Sequence, residues 1–248
     1  MNHKESFLQY LKTEKRYSSH TVRSYQNDLD QFFAYLAQND MSSELPEITS
    51  HHVRAWIVSL MENDMATVSV HRKISCLRVF FRYLRKEGIV KGDPLEKVVI
   101  PKIKKRLPVF VSEDAIGRLL DENDFGNDFA GIRNRTIIEM LYLTGMRRAE
   151  LIGLKIRDVD LAEATVKVTG KRNKQRIIPL TKDFTLRLKE YLSARNENPD
   201  FTGIEWFFIT GKGNKLYDKF VYNIVRRYLS MVTTIEKKSP HILRHTFA

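Results

Sequence analysis

The sequence predicts a mainly α protein with a small β component: a helical bundle over residues 1–100, a basic linker over 101–108, and a mixed α/β domain over 109–248. Three observations predict it. Apolar residues recur at steps of three and four through most of the chain, strand-like alternation appears only around residues 165–180, and a proline-bounded run of like charges without period separates the halves. A length of 248 residues is itself a prior for two domains.

Phe7 and Leu11 mark the first helix. Val22, Tyr25, Leu29, Phe32 and Leu36 form the stripe of the second, with Ser18 or Ser19 as its N-cap. The third starts at Ser50 and uses Val53, Ile57 and Leu60; the fourth uses Val70, Ile74, Leu77, Phe81 and Leu84 before Gly88 stops it. Amphipathic helices of this kind bury their stripes against one another, hence a small bundle. The fourth helix also carries Arg72, Lys73, Arg78, Arg82, Arg85 and Lys86, a positive flank that suits a phosphate backbone; a plain solvated face fits the same residues. Cys76 lies beside the apolar stripe and reads as packing.

Residues 101–108 have no helical period and include Lys102, Lys104, Lys105 and Arg106 between two prolines, the pattern of an extended linker. It suits a strand of chain laid along phosphates, and equally a plain hinge. In the second half, Ser112 caps a helix containing Ile116, Leu119 and Leu120, and residues 132–143 form another that ends on Gly145 as a left-handed cap. A helix opening near Arg147 follows, with Leu151, Ile152 and Leu154. Residues 165–168 and 176–180 then alternate as strands around the polar turn 170–175, a β-hairpin. Residues 184–192 return to helix, 206–209 read as a short strand, and 220–231 as a helix exposing Arg226 and Arg227.

Charge narrows the function. The 42 basic and 30 acidic side chains leave +12, with a pI near 9.7, the balance of a protein that follows a polyanion; nucleic acid is the leading partner. A single cysteine excludes an intrachain disulfide and a cysteine-rich zinc site, which points to the reducing cytoplasm. No apolar run approaches the roughly 18 residues of a membrane span, and the N-terminus has no apolar signal core, so a soluble protein without a membrane partner is expected.

Arg147 stands at the start of a helix, where free backbone amides favour anions and where cations are otherwise disfavoured. His241, Arg244 and His245 are spaced so that pairs of them share a helix face able to grip an anion. Lys171 sits at the tip of the hairpin. Each alone fits an ordinary surface residue. Their order is more specific: Thr144-Gly145-Met146-Arg147-Arg148-Ala149-Glu150-Leu151, then the hairpin lysine, then His241-Ile242-Leu243-Arg244-His245-Thr246-Phe247 resembles the tyrosine recombinases, phage-type integrases and their Xer-like branch above all. The resemblance covers the whole chain.

It implies a SAM-like core-binding domain followed by the mixed α/β catalytic domain of tyrosine recombinases. By resemblance, Arg147 and Arg244 hold the non-bridging oxygens of the scissile phosphate. Lys171 protonates the departing 5′ oxygen, and His241 assists proton transfer at the nucleophile. Glu150 braces the first arginine, and His245 packs behind the site. Two guanidiniums neutralise the developing charge, so neither cofactor nor metal is implied. Arg72, Lys73, Arg78, Lys104, Lys105, Arg172 and Lys174 are the expected DNA contacts, with the two domains on opposite faces of a duplex, affinity falling steeply with salt, and a homo-oligomer, tetrameric for the complete enzyme.

Thr169-Gly170-Lys171-Arg172-Asn173-Lys174 recurs almost verbatim as Thr210-Gly211-Lys212-Gly213-Asn214-Lys215. Strand alternation on both sides favours Lys171 as the general acid and leaves Lys212 in a glycine turn. The family nucleophile, a tyrosine expected on a helix beyond Arg244, has no counterpart here, since Tyr217, Tyr222 and Tyr228 precede His241. The expectation is therefore a recombinase chain ending short of its nucleophile, which binds DNA without cleaving it. A non-catalytic relative that blocks recombination sites is the alternative, and an unrelated helical regulator would leave the four-residue set a coincidence.

Overall fold

A computed structural model of the chain describes residues 3–103, 110–121, 125–170, 174–236 and 238–247, with side chains through residue 244. The chain divides into two compact units, Met1–Arg106 and Leu107–Ala248. In the first, α1 (His3–Thr13), α2 (Ser19–Gln38), α3 (Ser50–Glu62) and α4 (Thr67–Lys86) pack as a bundle. Ser18 caps α2 by accepting the Thr21 N–H at 3.2 Å. The core is aromatic-rich, with Phe7, Phe32, Trp56, Phe80 and Phe81 essentially inaccessible. Each such side chain contributes on the order of 1.5–3 kcal/mol by leaving water.

The positive flank of α4 is real but has one member fewer than expected. Arg72, Arg78, Arg82, Arg85 and Lys86 are exposed along one ridge. Lys73 is not: it is only 2% exposed, and its Nζ donates to Asp28 Oδ1 at 2.9 Å and to Gln31 Oε1. Position 73 lies between the core residues Val70, Ile74 and Leu77, so its charge is buried and needs a counter-charge from α2. Asp28, itself buried, supplies it and also accepts from Arg72. Cys76 is fully buried, and desolvation pushes its thiol far above the ordinary range, so it packs and does not react.

The second unit contains α5 (Glu113–Asp121), α6 (Phe129–Thr144), α7 (Arg148–Ile152), β1 (Val159–Asp160), β2 (Thr165–Thr169), β3 (Gln175–Pro179), α8 (Lys182–Asn196), α9 (Asp218–Val232) and α10 (Pro240–Phe247). Ser112 Oγ accepts the Ala115 N–H at 3.3 Å, and Asp128 Oδ1 accepts the Gly131 N–H at 2.8 Å, so α5 and α6 both start on side-chain caps. The strands form an antiparallel sheet in the order β1-β2-β3, with Val166 opposite Ile178 and Val168 opposite Arg176. Val166 and Val168 turn into the core; Ile177, on the other face, is 69% exposed. α10 packs on α6 and α9. Among the described residues no helix is long and apolar enough to cross a membrane.

Two expectations change here. β1 was not anticipated, because two residues carry no readable period. The strand expected at 206–209 is instead an irregular segment with isolated bridges between Lys155 and Trp206 and between Ile209 and Lys215. Its consecutive residues Phe207, Phe208 and Ile209 are all buried, so they do not alternate between a core and a solvent face. Side chains take two of its carbonyls: Tyr191 bonds Phe207 O at 2.9 Å and Arg133 bonds Ile209 O at 3.4 Å, while Arg195 bonds Ile204 O, just before it, at 2.7 Å. As expected, α9 leaves Arg226 and Arg227 exposed.

Candidate active site

α6 ends where the chain turns back on Gly145, at φ +56°. Thr144 Oγ1 accepts the Met146 N–H at 3.3 Å, and Met146 is driven fully into the core. The chain then emerges, and Arg147 leaves the core with half of its side chain exposed. A left-handed conformation costs a residue with a Cβ roughly 1–2 kcal/mol. Gly145→Ala is therefore expected to destabilise this unit by about that amount, read as a lowered urea midpoint; an unchanged midpoint would mean the turn adapts at no cost.

The reasoning from a helix N-terminus does not hold at Arg147. α7 spans only five residues, Arg147 caps it from outside, and its backbone N–H already donates to Glu150 Oε2 at 2.8 Å. What Arg147 offers an anion is its guanidinium alone. Glu150 is the hub of the site. Only 7% exposed, it accepts the Arg147 Nη1 at 3.0 Å and both terminal nitrogens of Arg176 at 3.0 and 2.9 Å. Burial works to raise the Glu150 pKa, but the hydrogen bonds from Arg176, the Arg147 backbone and the Arg147 guanidinium outweigh it and hold the carboxyl at about 2. Glu150 in turn raises the Arg176 pKa. The hairpin closes against this cluster: a Cβ on Gly170 would lie 3.0 Å from Glu150 Oε1 and 3.7 Å from Arg147 Nη1.

The third motif arrives on α10. Pro240 stands at its first position, Ile242 and Leu243 are buried, and this packing fixes the face that carries His241 and Arg244. Arg244 Nη1 donates to the carbonyl oxygen of Gly145, the turn from which Arg147 emerges two residues later. Segments 99 residues apart in sequence thus meet at one turn. His241 is exposed and Arg244 half-buried. Arg148 points elsewhere, with its Nε 2.8 Å from Asp218 at the start of α9.

Arg147, Glu150 and Arg244 therefore come together, and Gly170 delivers the base of the hairpin to them. Lys171 and Arg172, like Lys104 and Lys105 of the linker, lie outside the described residues, as does the side chain of His245. Lys174 is exposed beyond the turn. The repeated motif does not fold in the same register. In the hairpin Gly170 N–H bonds Lys174 O at 2.7 Å, whereas in the second turn Thr210 N–H bonds Asn214 O at 2.8 Å, one motif position earlier. Lys212 is exposed in that second turn, which Thr210 Oγ1 braces by accepting the Lys212 and Asn214 amides. Arg176 is the site residue that the sequence reading missed. The available signal was its alternation with Ile178 on the inner face of β3, where an arginine needs a buried acid.

The profile of the phage integrase family matches residues 110–248, and that of the phage integrase N-terminal SAM-like domain matches residues 5–88. The chain belongs to the phage integrase family. Relatives of this family member include the tyrosine recombinase XerC of Thermodesulfovibrio yellowstonii, 36% identical over 98% of this chain and 80% of the relative. The tyrosine recombinase XerC of Oceanobacillus iheyensis is 34% identical over the same shares. Among solved structures, XerH site-specific recombinase bound to palindromic difH substrate superposes with a TM-score of 0.76 at 22% identity, covering 98% of this chain and 72% of that one. The Tn1549 transposon integrase in complex with transposon right end DNA gives 0.77 at 16% identity, covering all of this chain and 85% of that one. These two likenesses show that the fold is that of the tyrosine recombinases: a SAM-like helical domain followed by the mixed domain.

Proposed function

We propose that this chain binds double-stranded DNA in the cytoplasm and grips one backbone phosphate between Arg147 and Arg244, as part of the apparatus of site-specific recombination through a 3′-phosphotyrosine intermediate. The observation that carries the reading is the bond from Arg244 to the Gly145 carbonyl, which brings the two arginine motifs to one turn. Two guanidiniums there neutralise charge building on a phosphorane without a metal. Lys171 donates the proton to the leaving 5′ oxygen, and His241, exposed on α10, handles the proton of the attacking group. Glu150 keeps Arg147 aimed, and His245 backs the site. Arg72 and Arg78 on the α4 ridge, with Lys104, Lys105, Arg172 and Lys174, meet the flanking phosphates, and several copies assemble on one DNA site.

No tyrosine follows Arg244 within the 248 residues, and Tyr228, the nearest before it, is buried and stacked on Phe125. The 248 residues alone are accordingly expected to bind without cutting. Incubated with a nicked suicide duplex, the chain should give a salt-sensitive complex and no denaturant-stable adduct. A covalent protein–DNA band would overturn that half of the reading; absence of binding at low salt would overturn the rest.

A further inference from the structure

We propose that the buried Asp28 is a positioning residue for Arg72: it holds that guanidinium at the seam of α2 and α4, so that Arg72 meets one particular phosphate and sets the register of the first unit on DNA. The inference rests on the function just proposed and adds a residue and a task to it. Ser24, Asp28 and Gln31 stand at steps of four and three on one face of α2, and α2 packs on α4. Asp28 Oδ2 accepts Arg72 Nη1, and the Ser24 carbonyl oxygen lies 3.5 Å from the same nitrogen. The acid is only 1% exposed, the arginine 45%. One end of the guanidinium is therefore anchored in the fold, while no described bond takes Nε or Nη2.

Holding an arginine with an acid ordinarily neutralises it. Here Asp28 is already matched by Lys73, a 3% exposed side chain whose Nζ donates to Oδ1 at 2.9 Å. That buried pair sums to zero, so Arg72 is oriented yet keeps its charge for an anion. Arg148 in the second unit is the contrast, since Asp218 alone faces it and cancels it. The other basic residues of the α4 ridge lack such a hold. Arg78 and Arg82 have no ion pair among the described residues, and Arg85 and Lys86 face more open acids, Asp93 at 3.4 Å and Glu14 at 3.8 Å. A swinging side chain adds attraction without choosing a phosphate, whereas a guanidinium aimed in advance favours one. Phosphate contacts fix register, and the aimed one fixes it most.

Ethylation interference reads such a contact, because an ethyl group on a phosphate that the protein touches lowers binding. The probe is a duplex selected with the 248-residue chain from a random pool. Wild type should show a set of sensitive phosphates, and Arg72→Gln should silence one of them while lowering affinity about tenfold or more. Asp28 is tested in a Lys73→Met background, so that its removal strands no buried cation. Adding Asp28→Leu there makes the net charge more positive, so general attraction to DNA would tighten binding. Positioning demands the reverse: the phosphate lost in Arg72→Gln falls silent, affinity drops at least about threefold, and Arg72→Gln on top adds little further loss. Asp28→Asn in the same background keeps one acceptor oxygen and should fall between.

Binding by Lys73→Met/Asp28→Leu that equals or exceeds that of Lys73→Met, or a phosphate that stays sensitive in it, overturns the assignment. So does an Arg72→Gln chain that keeps every sensitive phosphate, or that loses only a guanine-methylation signal, the mark of a base contact. A pool that yields no preferred sequence also rejects it, since nothing then holds a register. A wild-type chain that binds no duplex at low salt overturns the proposed DNA binding itself, a separate failure visible before any variant is made. Urea unfolding accompanies each variant. Should Lys73→Met/Asp28→Leu lose cooperative unfolding, Asp28→Asn in the Lys73→Met background decides: affinity equal to that of Lys73→Met rejects the role.

Discussion

Glu150→Gln should lower the stability of the second unit by about 3 kcal/mol near neutral pH, because the carboxylate it neutralises titrates at about 2 in the folded chain against an ordinary value of 4.5. The amide keeps the shape and still accepts a hydrogen bond, yet leaves Arg147 and Arg176 facing each other across a neutral group. The pH dependence carries a distinct signature. A depressed carboxylate contributes fully above its unfolded pKa and loses that contribution as pH falls through the folded one, so the wild-type advantage should shrink progressively from 4.5 down to about 2. Urea unfolding of both chains across that window is the measurement. Curves that stay parallel would mean Glu150 is not the hub that its four bonds describe.

Arg147→Gln should weaken binding of a duplex recombination site by roughly 30- to 100-fold, the equivalent of one charge-assisted phosphate grip of about 2–3 kcal/mol. Its neighbour is the control: Arg148 is spent on Asp218 at 2.8 Å, so Arg148→Gln should stay within about threefold. Glutamine at 147 can still donate to Glu150, which separates a binding loss from a folding loss. Titration of labelled duplex at fixed salt decides the matter. Equal losses for the two variants would return both arginines to a general positive surface and leave the recombinase site without its first arginine.

Which features were readable before folding depends on how far apart the interacting groups lie. The Ser18 and Ser112 caps, the Gly145 turn and the stripes of α2, α3 and α4 all join residues within a few positions of one another, and each is present in the structure. The meeting of three motifs was legible only through their order along the chain, since nothing local in the 240s refers to Gly145. Arg176 escaped notice because a strand arginine looks exposed until the face it shares with Ile178 is known to be the inner one. Lys73 failed for the opposite reason: a helix rich in basic residues reads as one flank, and a single 100° step per residue places one of them inside.

Local periodicity, capping and net charge, properties of neighbouring residues and of composition, settled the helical character and the hairpin and made a polyanion the expected partner. Tertiary packing alone decided which charges are spent within the fold and which remain for a partner. Asp28 meets Lys73 across 45 residues, Glu150 meets Arg176 across 26, and Arg244 meets Gly145 across 99. A charge's partner is chosen by proximity in space, where burial makes an unpaired ion expensive, and no short-range pattern encodes that distance.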